Sequence, residues 1–101
     1  MNITDVRIRE IRDQGKMKAV VSITFDEEFV VHDIKIIDGN NGPFIAMPSK
    51  KISEGTYRDI AHPLSIQTRN MIKDAIFDEY EKIMAAKDSD ETFESDEQSE
   101  V

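Results

Sequence analysis

Five basic residues fall within one 24-residue segment of the chain, where they could bind the phosphate groups of a nucleic acid. The segment begins at Lys50, ends at Lys73 and contains only two acids, so its formal charge is +3. Lysine and arginine supply most of the affinity of proteins for nucleic acids, because they displace the counterions condensed on phosphates. A similar density of bases also occurs on ordinary solvated surfaces. The candidate nucleic-acid-binding residues are Lys50, Lys51, Arg58, Arg69 and Lys73.

No arrangement of residues in the sequence is typical of a catalytic or metal site. The chain has no cysteine nucleophile and no glycine-rich loop of the kind that cradles phosphates. Asp33, Asp38 and Asp59 could form an acid-base or metal-binding set only if the strand registers brought them together. Exposed carboxylates at strand ends are common. We therefore predict a protein that is not an enzyme, with no cofactor, no metal ion and no small-molecule substrate.

The two histidines do not show the spacing of metal ligands. We predict that His32 shares a strand face with Val30, Ile34 and Ile36, as a hydrogen-bonded histidine of a sheet. His62 precedes a proline at the end of a predicted strand, where a capping or structural role is expected.

Most of the net charge of −8 belongs to the C-terminal segment. Residues 88–101 contain seven acids and no base, whereas the preceding residues contain 13 bases and 14 acids, a balance of −1. With Phe93 and Val101 as its only sizeable apolar groups, this segment cannot bury enough surface to offset the entropy lost on ordering. We predict one domain over residues 1–87 and a disordered acidic tail over residues 88–101.

A length of 101 residues without cysteine indicates one small domain of a reducing compartment. The first residues lack the basic-then-apolar pattern of a signal peptide, and no apolar run approaches the roughly 20 residues that span a bilayer. We expect a cytoplasmic protein with no membrane span.

Period-two alternation predicts strands along the first sixty residues, most clearly from Met17 to Phe25. The predicted strands are residues 3–11, 17–25, 29–37, 44–47 and 57–61. The turn at residues 38–42, of sequence DGNNG, is expected to fix the register of the third and fourth strands, because glycine and asparagine tolerate left-handed backbone conformations. Pro43 and Pro48 bracket the fourth strand and place it at an edge or a strand end. We expect this frame to hold a Lys50-Lys51 loop in a fixed position.

From Ser65 onward the apolar spacing predicts an amphipathic helix that ends near Lys87, with Ser65 or Thr68 as its N-cap. The predicted fold is therefore α+β, an antiparallel sheet of about five strands followed by a C-terminal helix. One helix cannot cover both faces of such a sheet, so we predict completion by dimerisation. Phe77 is a candidate contact with the partner chain, or a core residue at the margin of the helical stripe.

The segment "EFVVHDIKIIDGNNGPFIAMPSKK", followed by "YRDIAHP" and a terminal helix, resembles the SpoVG family, the stage V sporulation or septation proteins. The resemblance covers about residues 1 to 85 and excludes the acidic tail. It implies a small bacterial protein that binds DNA, and in some relatives RNA. It also implies regulation of gene expression, septum formation and envelope-related traits, an antiparallel sheet with a C-terminal helix, and a dimer. Association with the nucleoid is a further expectation.

A protein-interaction adaptor is the alternative function. In that case an apolar sheet edge and the acidic tail engage a division or regulatory protein, and nucleic-acid binding is incidental. The nearly neutral body of the domain favours this alternative, because dedicated nucleic-acid binders are usually more basic.

Overall fold

The computed structural model describes residues 1–90, which form six strands and one helix in the order predicted for an α+β protein. The elements are β1 (Ile3–Ile11), β2 (Met17–Phe25), β3 (Phe29–Gly39), β4 (Gly42–Ala46), β5 (Ser49–Ser53), β6 (Thr56–Asp59) and α1 (Ile66–Asp90).

Strands β1 to β4 form one antiparallel sheet in the order of the chain, and β5 pairs with β6 in a separate two-stranded sheet. The prediction of an antiparallel sheet with a C-terminal helix is confirmed. The strands are divided differently from the expected single sheet of about five: four form one sheet, and the predicted fifth strand belongs to the separate hairpin. Its partner β5 was predicted as a loop, since the sequence SKKIS is polar and has no apolar alternation.

The core lies between one face of the four-stranded sheet and α1. Every second residue of β2 from Ala19 to Phe25 is buried, and Ile72 and Ile76 of the helix cover this face. Burial of each large aliphatic side chain stabilises the fold by about 1.5–3 kcal/mol. Phe77 is half-buried against this core, so it is a core residue at the margin of the helical stripe rather than a free surface residue.

Ser65 is the N-cap of α1, because its Oγ accepts a hydrogen bond from the backbone N–H of Thr68 at 3.1 Å. The helix extends to Asp90, three residues beyond the boundary predicted from the sequence. Of the predicted acidic tail, residues 91–101 lie outside the described residues, so its disorder stays a prediction.

The turn between β3 and β4 has only Asn40 and Asn41 between the paired residues Gly39 and Gly42. The positive φ of this turn occurs at Gly42, at +113°, and at neither asparagine. Gly39 is required for a different reason: a Cβ at this position would lie 2.8 Å from Cε1 of the Phe44 ring. The expected pairing of β3 with β4 across this turn is found.

A β-bulge changes the faces of β3 relative to the prediction. Ile23 pairs with Val31, whereas Val21 pairs with Ile34, so His32 and Asp33 together face the single residue Ser22. Asp33 takes a φ of +63° to make this possible. Because of the extra residue, Ile34 points to the core, whereas His32 is exposed and bonds Ser22 on the other face. The prediction that they share a face is wrong.

Candidate nucleic-acid interface

The β5–β6 hairpin carries three of the five candidate bases, and all its residues are exposed. Lys50 pairs in register with Arg58, and Lys51 pairs with Tyr57. Residues directly opposite each other point to the same face, and successive residues point to opposite faces. The hairpin therefore presents a pair of cations on one face and a lysine beside a tyrosine on the other.

The hairpin is closed by a turn at its tip and a hydrogen bond at its base. Gly55 has a φ of +74° in the turn, a conformation that glycine adopts without strain. At the base, the N–H of Ile60 donates to the carbonyl of Pro48 at 2.7 Å, and Pro48 itself is buried. Lys50 and Lys51 therefore lie in a strand held by this local pairing, and the predicted Lys50-Lys51 loop is not found.

Among residues 1–90, the hairpin has one ion pair, between Lys51 and Glu54 at 3.4 Å. Both side chains are well exposed, so the pair stabilises the fold by at most about 1 kcal/mol and can be exchanged for other partners. Within the described residues, Lys50 and Arg58 have no carboxylate within 4.0 Å. These two bases are free to meet an anion.

Arg69 and Lys73 lie in the first two turns of α1, four residues apart and therefore on the same side of the helix. Both side chains are exposed, and the first turn of the helix has no acid. The N-terminus of a helix carries a partial positive charge, so bases placed there are unfavourable by roughly 0.3–1 kcal/mol. Together with the helix terminus, they make a second region that favours anions.

The structure thus places the five bases on two separate elements, and Lys51 points to the opposite face of the hairpin from Lys50. Lys50 and Arg58 lie side by side on the hairpin, whereas Arg69 and Lys73 lie on the helix, after the connecting residues 60–65. The hairpin does not pack extensively on the helix.

An apolar groove lies next to the start of the helix and was not foreseen from the sequence. Its cavity of about 460 Å³ is lined by apolar residues of the sheet, of the segment before the helix and of α1. Of the lining residues, Ile60 and Leu64 remain 69% and 95% exposed, and Ile66, the first residue of α1, is 76% exposed. Isolated apolar residues on a surface are normal, but a group around a groove is typical of an interaction site.

Two findings on residues 1–90 concern metal binding and membrane insertion. Asp33, Asp38 and Asp59 do not come together with other ligands into a candidate metal group in this part of the chain. No helix described here is long and apolar enough to cross a bilayer. His62 contacts the carbonyl of its neighbour Pro63 at 3.1 Å, which agrees with a local structural role.

Comparison with known proteins identifies the family. The family model described as SpoVG matches residues 1–82. The chain is 66% identical over 83 residues to a protein of Alkaliphilus oremlandii named "Putative septation protein SpoVG", covering 82% of this chain and 89% of that one. Proteins with the same name are 69% identical in Alkaliphilus metalliredigens, covering 79% and 82% of the two chains, and 65% identical in Clostridium perfringens, covering 82% and 92%. The chain belongs to the SpoVG family.

The SpoVG match includes all five candidate bases, the apolar groove and most of α1, and it ends before the acidic segment. Tyr57 is a further candidate nucleic-acid-binding residue of the hairpin. It is 63% exposed and pairs with Lys51, and the charge pattern alone did not reveal it. In the sequence, this residue could have been recognised as an aromatic residue among lysines and arginines. The nucleobases of single-stranded nucleic acids stack on exposed aromatic rings.

Proposed function

We propose that this SpoVG-family protein binds nucleic acid, DNA and also RNA, through the hairpin and the start of the helix. The observation that carries the proposal is the exposed pair Lys50 and Arg58, two cations side by side with no nearby carboxylate among the described residues. Arg69 and Lys73 supply the second set of phosphate contacts.

The proposed role of this binding is regulatory. The protein would act in the cytoplasm, in association with the nucleoid, and influence gene expression, septum formation and sporulation or envelope traits. The names of its relatives support the link with septation. The proposal includes no catalytic step, cofactor or small-molecule substrate.

The proposed binding unit is a homodimer. The exposed apolar residues Ile60, Leu64 and Ile66 support it, because a second chain seated on them would remove them from water. Two-fold symmetry would present each cationic set twice. Two weak sites on one rigid body bind a single polymer more tightly than either site alone, through effective concentration.

The alternative function is that of an adaptor, in which the apolar groove binds a division or regulatory protein. The groove itself favours this alternative, since a cavity of about 460 Å³ beside exposed aliphatic side chains fits an apolar segment of a partner. In that case the cationic surface would only keep the protein soluble.

Binding of matched DNA and RNA probes at two salt concentrations distinguishes the two functions. With about four phosphate contacts on a duplex, affinity should fall by roughly a hundredfold when salt is raised from about 50 to 200 mM. An apolar contact should change little over the same range. Absence of binding to every probe at the lower salt concentration would overturn the nucleic-acid proposal.

A further inference from the structure

Three polar side chains are linked across β1, β2 and β3 on the sheet face that α1 does not cover. Arg9 Nε donates a hydrogen bond to Ser22 Oγ at 3.3 Å, and Ser22 Oγ lies 2.8 Å from His32 Nδ1. Ser22 points away from the core, because its neighbours Val21 and Ile23 both point into it. Ser22 is only 4% exposed, whereas Arg9 and His32 are exposed to solvent.

Two irregularities of the sheet produce this arrangement. In β1 the register shifts between Ile8 and Glu10, so Arg9 is an extra residue on its strand. In β3 the extra residue lies opposite Ser22 and requires the left-handed conformation of Asp33. A non-glycine residue in this conformation costs about 1 kcal/mol or more. Bulges of this kind re-aim side chains, and here two of them aim at one buried hydroxyl group.

The hydrogen-bond inventory determines which donors remain free. Arg9 Nε–H donates to the hydroxyl oxygen of Ser22, so the single O–H of Ser22 is available for His32 Nδ1. We assign the ring proton to Nε2 of His32, the tautomer in which Ser22 accepts from Arg9 and donates to Nδ1. Within the described residues, the other N–H groups of Arg9 and Nε2 of His32 have no protein partner. Both therefore offer donors to a ligand on the open face.

The charged neighbours on this face leave a net positive surface. On β1, Arg7 pairs with Asp5 at 2.8 Å and Glu10 pairs with Arg12, so these four charges cancel. On β2, Lys18 is half-buried farther along the strand. On β3, Asp33 follows His32 directly. Lys35 lies two residues after Asp33 and pairs with Val20.

We propose that Arg9, Ser22 and His32 form a phosphate-binding site on the open face of the sheet. Arg9 and His32 donate hydrogen bonds to phosphate oxygens, and Ser22 is a positioning residue that holds both donors. Arginine suits this role because its planar guanidinium matches two oxygens of one phosphate. The site is separate from the hairpin and the helix start, and it does not rest on the function proposed above.

Protonation of His32 strengthens this site. A neutral imidazole offers one N–H, whereas a protonated imidazole is a cation in which both ring nitrogens donate. Its Nδ1–H then donates to Ser22, whose hydroxyl hydrogen turns elsewhere, and Nε2–H makes a charge-assisted bond to the phosphate. A protonated His32 would therefore hold a phosphate more tightly than a neutral one.

Nuclear magnetic resonance of the full chain tests the site with two probes. Dimethyl phosphate represents the phosphodiester of a nucleic-acid backbone and carries one negative charge, and inorganic phosphate represents a free phosphate. Each is titrated against sodium chloride of equal ionic strength. We expect saturable shifts of the His32 ring and of the amides of residues 9, 22 and 32. Saturation by both probes identifies a backbone-type ligand, and saturation by inorganic phosphate alone identifies a free phosphate. Saturation by neither probe overturns the proposal.

Arg7 provides the control for charge on the same strand. Arg9→Ala should weaken binding at least fivefold, whereas Arg7→Ala, which removes an equal charge from the same strand, should change it less than twofold. Equal losses in the two variants contradict the assignment. Because Ser22 is buried, His32→Gln is the second variant: it should fold normally and weaken phosphate binding, since its side chain cannot become a cation.

Discussion

Lys50 and Arg58 are register partners across the β5–β6 hairpin, so two positive side chains point to the same face of an exposed strand pair. Like charges directly opposite each other destabilise a hairpin. No acid of the described residues compensates this pair, and the hairpin is held instead by its turn and by the hydrogen bond between Ile60 and Pro48. An uncompensated pair of this kind is expected where an anionic ligand supplies the missing negative charge.

The first prediction separates this pair from the rest of the positive charge. The double variant Lys50→Ala, Arg58→Ala should keep its stability within about 0.5 kcal/mol per site, because both side chains are exposed. Removal of the repulsion between the two cations should in addition stabilise the hairpin slightly. It should bind DNA more weakly, and the slope of log affinity against log salt should fall by roughly two, one for each lost phosphate contact. Urea unfolding and binding titrations at several salt concentrations provide the two measurements.

Two further double variants complete this test. Arg69→Ala, Lys73→Ala should show a similar loss if the start of the helix shares the interface. Lys82→Ala, Lys87→Ala removes the same charge from the acid-rich end of the helix and should matter less. If the hairpin variant and the Arg69→Ala, Lys73→Ala variant both keep wild-type affinity and salt slope, these basic residues do not bind nucleic acid and only form a solvated surface.

The second prediction concerns Tyr57, on the other face of the hairpin from Lys50. If single-stranded RNA or DNA stacks on this ring, Tyr57→Ala should lower affinity for a single strand by about 1–3 kcal/mol. Tyr57→Phe keeps the ring and should retain most of that affinity. Duplex DNA, whose bases are already stacked, should bind both variants alike. Equal single-strand affinity of wild type and Tyr57→Ala would exclude stacking at this position.

The sequence was most informative where the backbone follows a regular period. The boundaries of β1 and β2 and the N-cap Ser65 agree with the prediction, because alternation and capping chemistry are local properties. The prediction of which β3 side chains face the core was wrong after His32. A single inserted residue moves every following side chain of a strand to the opposite face. Hydrophobic alternation does not reveal which residue of a run takes the left-handed conformation.

For the candidate nucleic-acid interface, the sequence predicted which basic residues take part but not how they are arranged. The sequence located Lys50 and Arg58, but their pairing depends on the register of β5, a strand with no apolar alternation. The adjacent residues Lys50 and Lys51 looked like one patch, although a strand sends their side chains to opposite faces. The Arg9, Ser22 and His32 network joins residues far apart in sequence through two bulges, so no local pattern could indicate it.

The third prediction concerns the acidic segment. Because α1 extends to Asp90, the truncation belongs after that residue rather than after Lys87. Removal of residues 91–101 deletes five acids and no base, and should leave the melting temperature nearly unchanged. If the segment competes with nucleic acid for the cationic sets, DNA affinity should rise, and more at low salt than at high salt. A large loss of thermal stability would show that the segment contributes to the fold.

The last prediction concerns the homodimer and the apolar groove. Wild-type protein at micromolar concentration should sediment as a dimer, because Ile60 and Leu64 of the groove and Ile66 at the start of α1 stay in water in a single chain. Leu64→Ser, Ile66→Ser should shift the mass towards the monomer and weaken nucleic-acid binding through loss of bivalency, although no phosphate contact is removed. Because both side chains are exposed, the isolated monomer should lose little stability.

Ile52→Ser, at a 49% exposed apolar residue of the hairpin, is the matched control and should leave the dimer intact. A monomeric wild type would free the groove for another protein, which is the adaptor function, whereas a dimer unaffected by the double variant would place the interface on another surface.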